Sequence, residues 1–245
     1  MLMLKGISIF LGFLMVPMTL HYLNPTNYGI WITLSSLIVW FTFFDIGLGN
    51  GLRNKFAEAI ALGQVETARA YVSTTYAFLS IIICIVFVVF LIVNPLLNWS
   101  IILNTQSSFS KELSLLVVIT FTFFCLRFIF GIIGTILTAD QKPALNSLLE
   151  VLSNVLSLLL IWILIETTQG SLLQLGTAVS FATAIVPIGA SLWLYNGRYK
   201  HIRPSRAFIK VSYAHELIQL GVKFFLLQIV GIIIFSTSNV IIAIL

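Results

Sequence analysis

Seven stretches of this 245-residue chain carry almost no charge, at roughly Gly6–Tyr22, Tyr28–Phe44, Tyr71–Val93, Leu113–Leu137, Ser147–Ile165, Leu172–Tyr195 and Leu217–Leu245. Each is long enough, or nearly so, to cross a hydrocarbon core of about 30 Å at about 1.5 Å per residue. No water is available at that depth to satisfy backbone amides, so such runs must be helices. The expected fold is all-α: a polytopic membrane helical bundle of about seven transmembrane helices. Composition agrees, with 59% hydrophobic and only 9% charged residues, against about 25% charged in soluble domains. The breakers fall between the runs: Asn24-Pro25, Gly47 to Gly51, Asn94-Pro95, Gln141-Lys142-Pro143, Gln169-Gly170 and Asn196-Gly197. The N-terminal run follows Lys5 as in a signal peptide. It has no small-residue cleavage site, however, and Pro25-Thr26-Asn27 leads straight into the next run, so it is taken as the first membrane helix.

The basic residues orient the bundle. With the N-terminus cytoplasmic, the inner segments hold Lys5, Arg53, Lys55, Arg69, Lys142, Arg198, Lys200, Arg203, Arg206 and Lys210. The outer loops hold only Lys111. This is the positive-inside pattern, and it makes the net charge of +5 a topology signal rather than a sign of nucleic-acid binding. After the second run, Leu52, Phe56, Ala59 and Ile60 recur at helical spacing opposite Arg53, Asn54, Lys55 and Glu58. They form either an amphipathic helix on the cytoplasmic interface, ended by Gly63, or a cytoplasmic extension of the third helix. The chain stops at Ile244-Leu245, still apolar, which is expected of the front part of a longer protein.

Two of the thirteen basic residues lie inside apolar runs, Arg127 and Lys223. Arg127 is roughly 21 Å and 15 Å from the ends of its run at about 1.5 Å per residue, too deep for easy snorkelling. Thr120, Gly131, Gly134 and Thr138 share its helical face. An intramembrane cation faces protein, water or an anionic ligand. Arg127 is therefore either a structural arginine held by carbonyls or Glu150, or an anion contact in a cavity, and the second reading is favoured. Lys223 lies within about two turns of a helix start, where snorkelling and an inward cation are equally open.

The fifth run carries Asn146, Glu150, Ser153, Asn154 and Ser157 as a polar stripe. Glu150, Asn154 and Asn146 are the candidate cavity-lining residues. The sixth carries Thr177, Ser180, Thr183, Pro187 and Ser191, better explained as helix packing. Asp45 ends the second run at the inner surface, paired with Arg53 or solvated. Gly47-Leu48-Gly49-Asn50-Gly51 lacks the βαβ surroundings of a nucleotide fingerprint. Cys84 and Cys125 sit in apolar runs as small hydrophobes. Asn98-Trp99-Ser100 is a weak glycosylation match, and His21, His201 and His215 are too scattered for a metal site. No nucleophile–base pair is visible, so neither an enzyme nor a cofactor is expected.

Val16-Pro17, Tyr22-Leu23-Asn24, Tyr28-Gly29-Ile30-Trp31 and Asp45-Ile46-Gly47-Leu48-Gly49-Asn50-Gly51-Leu52-Arg53-Asn54 follow one another in the first hundred residues. This order resembles the Wzx-type polysaccharide flippases of the multidrug/oligosaccharidyl-lipid/polysaccharide exporter superfamily. The resemblance implies two six-helix lobes around a cationic cavity. The substrate would be an undecaprenyl-diphosphate-linked oligosaccharide, moved across the bacterial inner membrane for O-antigen or capsule assembly. Residues 1–196 would be the N-terminal lobe, 197–216 a basic cytoplasmic inter-lobe loop, and 217–245 the first helix of a truncated second lobe. Arg127 and, more weakly, Lys223 would contact the diphosphate. A polysaccharide polymerase and a chain-length regulator are the partners implied. A multidrug exporter and a non-transporting assembly protein are the alternatives. The first should show intramembrane carboxylates and the second a large outer loop, whereas Asn94 to Glu112 is short.

Overall fold

The computed structural model describes residues 2–41, 47–105, 110–224, 226 and 230. Asp45 and most of the seventh run lie outside the described residues. The described chain is helical, with no strand. Nine helices come first: α1 (Leu2–Leu23), α2 (Pro25–Trp40), α3 (Leu48–Ala61), α4 (Val65–Val93), α5 (Trp99–Ile102), α6 (Ser110–Phe130), α7 (Ile132–Ala139), α8 (Pro143–Thr167) and α9 (Leu172–Asn196). A tenth, α10, covers 211–224. It begins six residues before the start expected from the apolar run, because the stretch from Val211 to Glu216 is amphipathic rather than apolar.

Among the described residues five segments are long and apolar enough to cross a bilayer: Leu2–Leu23, Val65–Leu96, Lys111–Ala139, Pro143–Thr167 and Leu172–Asn196. They correspond to the first, third, fourth, fifth and sixth apolar runs. The second run contributes α2, whose 16 residues fall short of that length. The fold is thus that of a multi-pass helical bundle.

Two apolar clusters hold it together. One joins Leu34 and Ile38 of α2 to Leu113, Leu116 and Val117 of α6, Ile161 of α8 and Leu175 of α9. The other joins Leu48, Leu52 and Phe56 of α3 to Val72 and Leu79 of α4, Phe121 of α6, Ile133 and Ile136 of α7, and Leu217 of α10. Phe121 is its aromatic centre, with the rings of Phe41 and Phe90 at 4.8 and 4.2 Å.

Helix α3 is a separate element, not an extension of α4. The turn between them places Gly63 at φ 70°, which a residue without Cβ adopts freely. Its apolar face is buried in the protein: Leu48, Leu52 and Phe56 are at most 1% exposed. Glycines 47 and 51 permit this packing. A Cβ on Gly51 would lie 2.5 Å from the Leu217 carbonyl oxygen, and one on Gly47 would collide with the Gly221 backbone. The glycine-rich segment is therefore a close helix crossing.

The basic residues gather at the end of the bundle where α3 meets α4, α7 meets α8 and α9 ends. There the 197–210 segment is tied down. Arg69 Nε donates to Arg203 O at 3.0 Å and its guanidinium lies over the Phe208 ring. The backbone amides of Ser205 and Lys210 donate to Ser73 Oγ and Thr74 Oγ1. Tyr199 Oη donates to Asp140 at 2.6 Å, and Lys142 pairs with the same carboxylate. At the opposite end Tyr22 Oη contacts Thr168 Oγ1 and donates to Gln174 Oε1.

Candidate functional site

The fourth apolar run is broken near its inner third. Helix α6 ends at Phe130, Gly131 intervenes, and α7 starts at Ile132. The Gly131 amide still bonds to Arg127 O at 2.7 Å, but the Gly134 amide bonds three residues back, to Gly131 O, at 2.9 Å. A Cβ on Gly131 would sit 2.8 Å from Arg127 O, so the tight turn requires glycine. Such interruptions recur where transporters bind ligands. Arg127 lies in the last turn before it, where the helix C-terminus also favours a cation.

Arg127 stands where two cavities meet. The larger, about 780 Å³, is bounded by Trp31, Ser35, Ile38 and Val39 of α2, Gly49 of α3, Thr75 and Leu79 of α4, and Ser180 and Thr183 of α9. Thr120, Phe124, Arg127 and Phe128 of α6 complete it with Gly131, Ile132 and Thr135. The smaller, about 390 Å³, takes in Ser8 of α1, Gly134, Asn146, Glu150, Ser153 and Asn154, and shares Arg127, Gly131 and Thr183 with the first. Both volumes fall in the range of about 300–1,000 Å³ typical of ligand sites.

Arg127 is the sole charged group lining the larger cavity, and Glu150 the sole carboxylate lining the smaller, among the described residues. Arg127 forms no hydrogen bond and no direct ion pair with Glu150 among the described residues, and its side chain is open to the cavities. Among the described residues, then, no carbonyl or carboxylate holds the guanidinium directly, and the Glu150 carboxylate acts on it at longer range. Two more polar atoms of residues in the larger cavity's wall, Ser35 Oγ and Thr120 Oγ1, are buried without a partner among the described residues. A pocket with one unpaired guanidinium and orphan hydroxyls suits an anion carrying several acceptor oxygens.

The other sequence candidates separate. Asn146 packs against Gly134, where a Cβ would collide with its Oδ1. Asn154 spans to α1, donating Nδ2 to Ser8 Oγ at 2.9 Å, so it holds a helix pair as well as lining the smaller cavity. Lys223 is exposed on α10 and lines neither cavity. In the sixth-run stripe Thr177, Thr183 and Ser191 bond to backbone carbonyls, and Ser180 and Thr183 also line the larger cavity. Trp31, the last residue of the Tyr28-Gly29-Ile30-Trp31 segment, also lines it, as do Ser35 and Thr75. Ser35 and Thr75 are polar side chains in apolar surroundings, and only that contrast marks them in the sequence. The weak glycosylation match is a helix cap, with Asn98 Oδ1 accepting from the Ile101 amide.

No family model and no curated protein matches the chain. Its fold is similar to a solved inward-facing structure of a multidrug resistance MATE family transporter of the MOP superfamily. The TM-score is 0.62 at 15% sequence identity, over 83% of this chain and 48% of that one. The chain spans about half the length of that transporter.

Proposed function

We propose that this chain is the N-terminal half of an exporter-superfamily transporter that moves undecaprenyl-diphosphate-linked oligosaccharides across the bacterial inner membrane for O-antigen or capsule assembly. One observation carries the reading: among the described residues Arg127, on a membrane-spanning helix, forms no direct ion pair and is the sole charged group lining the larger cavity, with Glu150 across the smaller one at longer range. A diphosphate supplies the missing negative charge and accepts from Ser35 and Thr120. Inward-opening exposes this site to the cytoplasmic leaflet, and rocking of two lobes then turns it outward. Arg127, rather than Lys223, is the headgroup contact in this scheme. The chain binds and releases and performs no bond chemistry. A polymerase and a chain-length regulator consume the product outside.

The multidrug reading has one observation in its favour, the MATE transporter whose fold this chain shares. Drug cations call for a carboxylate, and Glu150 lines only the smaller cavity, together with Arg127.

The test is complementation of a flippase-deficient strain with the full protein. Arg127→Ala abolishes surface polymer, and Arg127→Lys keeps part of it, because a point charge replaces the planar fork. Wild-type polymer from Arg127→Ala at equal membrane abundance contradicts the anion contact. Unchanged polymer together with drug hypersensitivity on deletion selects the exporter alternative.

A further inference from the structure

A third cavity, about 260 Å³, lies in the seam between α1 and α2. Its walls are Met15, Val16 and Thr19 from α1, and Tyr28, Trp31, Ile32, Ser35, Ser36 and Val39 from α2. Trp31, Ser35 and Val39 also wall the large Arg127 cavity, so the two spaces are separated by one turn of α2 side chains. The lip is apolar and turned outward: Val16, Ile32 and Val39 are 41%, 45% and 59% exposed. The dividing wall is amphipathic. Ser35 Oγ is buried without a partner, and the Trp31 indole N–H makes no hydrogen bond among the described residues. Indole presents an apolar body and one donor, the chemistry of a water–hydrocarbon boundary. Room for its ring comes from Gly176 of α9, where a Cβ would lie 3.0 Å from the Trp31 ring edge.

We propose that this seam is the hydrocarbon subsite of the transported lipid, with Trp31 and Ser35 marking the joint between chain and anionic head. The proposal rests on the lipid-diphosphate reading of the Arg127 cavity. The head lies beside Arg127. The first segment of the chain leaves over the α2 wall and emerges between α1 and α2. The Trp31 and Ser35 donors serve the oxygen that joins chain to phosphate. Met15, an unbranched and polarizable side chain, fits an irregular aliphatic guest. The lipid thus keeps its tail in the bilayer while its head travels in the cavity.

The experiment measures binding of two probes to the purified full protein in detergent, farnesyl diphosphate and inorganic pyrophosphate. Ser36→Trp fills the seam. Ser36→Cys, alkylated after folding with a long-chain maleimide, fills it without any demand on folding. Both weaken farnesyl diphosphate by about tenfold or more and leave pyrophosphate unchanged. Trp31→Phe, which keeps the ring and removes the donor, weakens farnesyl diphosphate by a smaller factor. Farnesyl diphosphate binding that needs Arg127 but ignores both seam-filling variants overturns the subsite and leaves the headgroup reading intact. Equal competition by phosphatidylglycerol overturns it in favour of a resident membrane lipid. Failure of the wild type to bind either probe overturns the headgroup reading and this inference with it.

Discussion

At the residue scale, the site depends on which polar side chains lack a partner among the described residues. Arg127 was visible in the sequence because charge at that depth is costly and conspicuous. Ser35 and Thr120 were not equally visible. A lone hydroxyl in an apolar run usually bonds to its own helix, as Thr122 does to Val118 O and Thr177 to Leu173 O. Only the packed neighbours reveal that Ser35 and Thr120 have no partner among the described residues. Glycine gives the clearest stability prediction at this scale. Gly51→Ala places a methyl 2.5 Å from the Leu217 carbonyl oxygen, so α3 and α10 must separate at a cost of about 1–3 kcal/mol. Thermal unfolding in detergent should show this loss. Gly29→Ala, which meets nothing within 4 Å, should lie close to wild type. Equal midpoints for the two variants would contradict the close crossing.

At the element scale, the long apolar helices were legible in the sequence and their irregularities were not. Hydropathy places α1, α8 and α9 to within four residues at each end, and α4 to its last residue though six residues late at its start, because a bilayer demands a fixed length. It is silent on the interruption at Gly131, since an apolar run continues straight through. The amphipathic face of α3 was also legible, but its destination was not: periodicity shows that a face is apolar, not whether lipid or protein covers it. Here α4, α7 and α10 cover it. Helix α10 is anchored by Tyr71, whose hydroxyl donates to Glu216 Oε2 at 2.7 Å and whose ring stacks on Tyr213 at 4.6 Å. Tyr71→Phe keeps the stack and removes a bond to a charged group, a loss of about 1.5–3 kcal/mol. Hydrogen exchange should quicken in α10 and stay unchanged in α8; uniform quickening would mean that the bond supports the whole bundle instead.

The α7–α8 turn adds a pH dependence. Partial burial raises the Asp140 carboxyl, but hydrogen bonds from Lys142 and Tyr199 outweigh it and hold the group below the usual carboxylate range. A depressed carboxyl stabilises the fold at pH above its unfolded value, about 3.9. That contribution is lost as pH falls below it, through the folded value. Wild type should therefore lose stability on acidification through this window more steeply than Asp140→Asn. Parallel acid profiles for the two would show that the clamp contributes nothing.

At the scale of the whole molecule, one end of the bundle is basic and tied by the 197–210 segment, and the middle is hollow around one cation. The positive-inside count anticipated the first property from sequence. The second needed three dimensions, because the cavity wall draws on α2, α3, α4, α6, α7 and α9, none of which carries more than a few lining residues. The helical fold around this hollow is similar to about half of a MATE family transporter. The central claim is that Arg127 takes the anionic head of a lipid through that hollow. It is tested most directly by reconstituting the full protein in vesicles and following the transfer of a fluorescent undecaprenyl-diphosphate glycan from one leaflet to the other. Wild type should move the lipid, Arg127→Lys should move it more slowly, and Arg127→Ala should leave it at the rate of empty vesicles. Transfer by Arg127→Ala at the wild-type rate would contradict the account.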